Sequence, residues 1–176
     1  MSRQQTRLPH QIDPFRLAEA GAQLSGHLPL RQFSRLRDVL ADDSGELAVK
    51  LNFDTDELGV PIVLGHISAT LSLTCQRCLE AFEFPVDAEV ALAWVKTTQE
   101  ADKLPLRYEP YVVDETPLLL NDVIEDELLL ALPQIPMHEE ADCPASKLLK
   151  QGNKMTDEPE QKANPFSVLA KLKHDE

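Results

Sequence analysis

The chain has 176 residues, 43% of them hydrophobic and 27% charged, and a net charge of −13 at pH 7. That length supports one sizeable core and a tail, whereas no apolar run reaches a membrane span and the opening MSRQQTRLPHQ lacks the apolar centre of a signal peptide. The expectation is a cytoplasmic protein with no membrane partner, too acidic to coat nucleic acid by bulk electrostatics and, with three cysteines, no disulfide scaffold.

Charge is unevenly spread. Residues 1–40 carry six Arg against Asp13, Glu19 and Asp38, a net of +3 that leaves −16 for the remainder. An acidic body suits a basic, nucleic-acid-associated protein as partner, and the basic head suits a local contact with RNA. Charge that serves solubility alone is the plainer explanation.

Asp13 and Pro14 read as the cap and first position of a helix through FRLAEAGAQL, closed before Gly26. A second helix is expected in PLRQFSRLRDVL, with Phe33, Leu36, Val39 and Leu40 on one face. Arg31 and Arg35 stand four apart and share a side of it. They form the first candidate contact for RNA or a protein partner, although a solvated helix face explains the pair more simply.

From Gly45 the period changes to two. LAVKLNFD places Leu47, Val49, Leu51 and Phe53 on one face. After the turn-like DTDELG, the run IVLGHISATLSLT puts Val63, Ile67, Ala69, Leu71 and Leu73 on one side, with His66 on the polar side. FEFPVDAEVALAWV alternates from Phe82 to Trp94, and Pro85 marks an edge or a bulge. Three such strands joined by short links predict an antiparallel sheet with one buried face. YEPYVVDE reads as a further short strand.

LLLNDVIEDELLLALP carries the strongest helical pattern, with Leu120, Val123, Ile124, Glu127, Leu128 and Ala131 on one face and Pro133 as the stop. Consecutive Glu125, Asp126 and Glu127 point in different directions and cannot converge on one ion. Most of them read as a solvated face; Glu127, flanked by apolar positions, is the one expected to pair with a basic group or meet the sheet edge. The expected organisation is one α+β domain over residues 1–143, a charged linker over 144–163, and an amphipathic tail over 164–176. In that tail Phe166, Leu169 and Leu172 recur behind Asn164 and Pro165. The fold class is thus α+β: an antiparallel sheet with N-terminal helices, one long helix after the sheet, and a tethered short C-terminal helix.

All three cysteines fall in one split pattern, Cys75-x2-Cys78 in LTCQRCLEAF and His138-x4-Cys143 in MHEEADC. Two thiolates two residues apart can clamp an ion from one turn, and a second turn can complete a tetrahedron. The intervening stretch of about sixty residues exceeds any compact zinc finger, so such a site would pin distant segments together. A structural Zn2+ on Cys75, Cys78, His138 and Cys143 leads over unmetallated thiols and a redox pair. The strand-like flanks suit a knuckle between two strands better than a redox motif, which needs a helix start. Arg77, between the thiols, would lower their pKa by charge or else face solvent.

LTCQRCLEAF, the run YEPYVVDE … NDVIEDELLLALPQIPMH and the terminal NPFSVLAKLK together resemble the bacterial large ribosomal RNA subunit accumulation protein family, the YceD-like proteins. Cys75, Arg77 and Cys78 match its C-x-R-C signature, the segment Glu125 to Pro136 its acidic-apolar motif, and His138 with Cys143 a region that carries further cysteines in other members. The resemblance implies a role in the accumulation or processing of 23S rRNA without a recognised catalytic activity; the acidic body and basic head add the expectation of a large-subunit precursor as partner, through rRNA or a basic ribosomal protein. Arg31, Arg35 and Arg77 are the candidate contacts. A metal-dependent RNA-processing enzyme is the alternative from another class, but the chain has no nucleophile elbow, Gly-rich phosphate loop or paired-His motif. A zinc-stabilised adaptor unrelated to ribosomes is the third reading.

Overall fold

Three long strands, built from the three period-two runs, form the spine of the protein. The computed structural model describes residues 8–146. The expected tail helix over 164–176, most of the linker before it, and Arg3 and Arg7 of the basic head lie outside the described residues. Contacts between Cα atoms divide the chain into two units, Met1–His138 and Glu139–Glu176.

In the first unit, β1 (Gln11–Ile12) leads into α1 (Pro14–Glu19). Asp13 caps α1 as expected, its carboxylate accepting the Arg16 N–H at 3.2 Å, with Pro14 at the first position. The helix is shorter than the sequence suggested. Gly21 adopts φ +58, a left-handed conformation that ends a helix cheaply. The chain then turns into β2 (Gln23–Pro29), in which Leu24 and Leu28 are half-buried and Ser25 and His27 exposed.

The second expected helix is also divided. A 3-10 turn (Leu30–Gln32) and the single-turn α2 (Ser34–Arg37) flank Phe33, whose extended φ −100, ψ 100 interrupts the helix. Leu30, Phe33 and Leu36 are buried, but Val39 is 48% exposed and Leu40 opens β3 (Leu40–Asp42).

β4 (Glu46–Thr55), β5 (Pro61–Thr74) and β6 (Ala81–Val95) follow the expected alternation. Leu47, Val49, Leu51 and Phe53 of β4 are buried, as are Val63, Ile67, Leu71 and Leu73 of β5, while His66 is exposed. In the turn between β4 and β5 the Asp56 carboxylate accepts the Leu58 and Val60 N–H groups at 2.9 Å each. Gly65, in the middle of β5, allows a close crossing: a Cβ there would lie 2.0 Å from the Lys50 carbonyl oxygen.

After β6 the chain runs through α3 (Thr98–Ala101) into β7 (Glu109–Val112), then β8 (Leu118–Leu119) and α4 (Leu120–Ala131). The main sheet has the order β2-β4-β5-β6-β7, with β3 also paired to β5, and β1 pairs with β8 in a separate two-stranded sheet. It is not wholly antiparallel. β7 runs parallel to β6, because residues 96–108 form a connection long enough to carry the chain back before it pairs. β7 covers only Leu92–Val95 of β6, so Pro85 lies on a stretch without a second neighbour, where its missing N–H does least harm. α1 packs on β4 and β5 and α4 on β6, closing the buried face of the sheet.

Candidate metal centre

The link between β5 and β6 is a six-residue knuckle, Cys75 to Glu80. The Cys75 N–H donates to the Glu80 carbonyl and the Leu79 N–H to the Cys75 carbonyl, both at 2.9 Å. Leu79 takes φ 64, an uncommon conformation for a residue with a Cβ. Once α4 has ended at Leu132 and Pro133, the chain returns past this knuckle. The Gln76 N–H donates to the Pro136 carbonyl at 2.8 Å, and the His138 N–H to Cys75 Sγ at 3.5 Å. The His138 ring Nδ1 lies 3.3 Å from Cys78 Sγ, with the Phe82 ring 5.0 Å from the imidazole between centroids.

Cys75 is fully buried. Burial alone would raise its pKa, but the backbone N–H groups of His138, Cys78 and Arg77 and the His138 side chain favour the thiolate and bring it down to about 5. N–H groups aimed at sulfur are the outer-shell support that a metal-bound thiolate needs.

In the second unit, the Cys143 N–H donates to the Glu139 carbonyl and the Ser146 N–H to the Cys143 carbonyl, each at 3.1 Å. Cys143 is buried as well. In the first unit the candidate ligand atoms of Cys75, Cys78 and His138 all lie within 4.8 Å of one another. Tetrahedral Zn2+ with sulfur and nitrogen ligands places donors roughly 3.4–3.8 Å apart, and the 3.3 Å from His138 Nδ1 to Cys78 Sγ is close to that spacing. Three soft sulfurs and one imidazole suit Zn2+ and would suit a hard oxygen-seeking cation poorly.

The arginines singled out in the sequence are scattered. The Arg77 guanidinium donates to Met137 Sδ at 3.5 Å, so what Arg77 supplies to Cys75 is its backbone N–H, at 3.4 Å. Arg31 lies exposed in the 3-10 turn. Arg35 reaches α4, where Nε donates to Glu125 Oε2 at 3.0 Å, Nη1 to Asp126 Oδ1 at 2.6 Å and Nη2 to the Asp122 carbonyl at 3.4 Å. About half of its side chain, 51%, stays in solvent.

Glu125, read from sequence as part of a solvated face, is instead 4% exposed and accepts the Leu36 N–H at 2.9 Å as well as Arg35 Nε. Helical spacing put it beside Leu128, yet its partners come from about ninety residues away, and nothing local marks them.

The sequence profile of the large ribosomal RNA subunit accumulation protein YceD family matches residues 63–173, from β5 past the knuckle and α4. A relative of that name from Haemophilus influenzae is 32% identical over 171 residues, covering 97% of this chain and 98% of its own length. The chain belongs to this family. No solved structure matches it. This YceD-family chain has no helix, among the described residues, long and apolar enough to cross a membrane.

Proposed function

We propose that this protein is a non-enzymatic factor in biogenesis of the large ribosomal subunit, acting in the cytoplasm to support synthesis, processing or accumulation of 23S rRNA. Near full-length likeness to a relative named for large-subunit rRNA accumulation carries this reading. The ligand cluster agrees with it. Cys75, Cys78, His138 and Cys143 supply four protein donors to a structural Zn2+, and a four-donor site leaves no open position for a reacting water. When bound, the ion holds segments together without entering a reaction.

Two features of the chain suggest how it would engage a precursor. Its net charge of −13 complements a basic ribosomal protein. The exposed Arg31 offers a phosphate contact, whereas Arg35 is committed to α4 and contributes chiefly by holding the turn that carries Arg31. Neither the RNA-processing enzyme nor the unrelated adaptor gains an observation in its favour.

Sucrose-gradient sedimentation of a gently lysed native host, with the protein followed by immunoblot, tests the reading. Co-migration with large-subunit precursors and not with mature ribosomes is the expected result, reduced by Arg31→Glu. Recovery only at the top of the gradient, even at low salt and with crosslinking, overturns it.

A further inference from the structure

Three stretches that are distant in sequence converge on one concavity of about 670 Å³ in the first unit. The approach to β1 supplies His10, fixed where the Leu120 N–H donates to the His10 carbonyl at 3.1 Å. The end of β2 supplies His27, the 3-10 turn Gln32, and the first turn of α4 Asn121, above apolar surface that includes Leu8 and Leu28. None of these four polar side chains hydrogen-bonds another of the described residues, so their donors and acceptors are available to a ligand. The volume falls within the range usual for small-molecule sites, roughly 300–1,000 Å³.

The chemistry of the lining narrows the ligand. Among the described residues no Asp, Glu, Lys or Arg lines the concavity, although 27% of the chain is charged. The described lining therefore offers a phosphate, carboxylate or ammonium group no Asp, Glu, Lys or Arg as counter-charge. Two carboxamides each present a donor beside an acceptor, the pattern that reads a base edge. Two imidazoles and the apolar floor provide faces on which a flat ring can stack. An aromatic heterocycle with several hydrogen-bonding edge atoms satisfies both requirements.

We infer that this concavity binds an unpaired nucleobase of single-stranded RNA, an assignment that rests on the rRNA reading above. A chain this acidic repels the phosphodiester backbone as a whole, so affinity has to come from base stacking and edge contacts. A base still paired in a duplex cannot present its edge and both faces to such a site.

Fluorescence anisotropy of the full chain with labelled single-stranded RNA hexanucleotides of each base, and with a mixed-sequence RNA duplex, tests the assignment. Single strands bind and the duplex does not, and affinity falls only slightly between about 50 and about 200 mM salt. Asn121→Ala and Gln32→Ala each weaken binding roughly tenfold. Gln32 is exposed in a short turn, so its variant still reports if the Asn121 variant fails to fold. Equal binding by wild type and the Gln32 variant overturns the assignment, as does equal binding of the duplex. Competition by free mononucleotides as strong as by the hexamers overturns the RNA source. Loss of oligonucleotide binding in a protein that still sediments with precursors sinks the pocket alone, whereas retained binding without co-sedimentation sinks the ribosomal reading alone.

Discussion

Glu125, Asp126 and Glu127 are consecutive in α4, and the helix turns each into a different environment. Glu125 enters the interior with two donors, the Leu36 N–H and Arg35 Nε. Asp126 takes Arg35 Nη1 at the surface. Glu127 is half-buried with no ion pair among the described residues; burial first, then the charges of Glu109 and Asp126, push its pKa up to about 7. The reading of the sequence was right that the three diverge; of its two alternatives for Glu127, a basic partner or the sheet edge, the influence of Glu109 in the edge strand β7 fits the second. A helical wheel ranks positions by their own neighbours, and for Glu125 the deciding group arrives from α2. Because the folded state holds the Glu127 proton more tightly than the unfolded chain does, stability falls as pH rises from about 4.5 to about 7 and levels off above that. Glu127→Gln removes this dependence. Thermal melts should show the variant more stable than wild type at pH 8, with the gap closing towards pH 4.5; a gap that is constant with pH would assign the effect to packing.

At the scale of elements, the three long strands were legible because one buried face imposes a period of two on the sequence. β2 and β3 were not. Each owes its conformation to a partner strand, β4 for β2 and β5 for β3, and both are too short, or too close to helix-like neighbours, for a period of two to stand out. The parallel pairing of β7 was hidden for a related reason, since direction is set by the path of the connection. Gly65 is a further requirement that the alternation concealed. A methyl group 2.0 Å from the Lys50 carbonyl oxygen cannot be accommodated without separating β4 from β5. Gly65→Ala is therefore expected to cost about 3 kcal/mol, at the upper end of overpacking penalties. Chemical denaturation would measure it, and a cost below about 1 kcal/mol would mean that the strands shift easily.

For the molecule as a whole, the candidate ligand set could be read from the sequence because it uses every cysteine in the chain. What the spacing did not contain was the supporting frame: the left-handed Leu79, the Gln76 to Pro136 hydrogen bond and the N–H groups directed at Cys75 Sγ. If the four donors hold Zn2+, a free concentration a hundredfold above Kd stabilises the fold by about 2.7 kcal/mol. Chelation should then lower the melting temperature reversibly. Co2+ added to stripped protein should give the thiolate-to-metal absorption of sulfur ligation, and Cys75→Ser should weaken both effects. A melting temperature indifferent to chelator and to added Zn2+ would leave the thiols as packing groups.

The separation of Cys78 from His138 by sixty residues also has a meaning in time. A translating ribosome adds roughly 5–20 residues per second, so the second pair of ligands leaves it roughly 3–12 s after the first. Throughout that interval the nascent hairpin carries two thiols and no means of enclosing an ion. A chain truncated before residue 138 never acquires one. Metal capture would then act as a clock on synthesis, closing only on chains translated through Cys143.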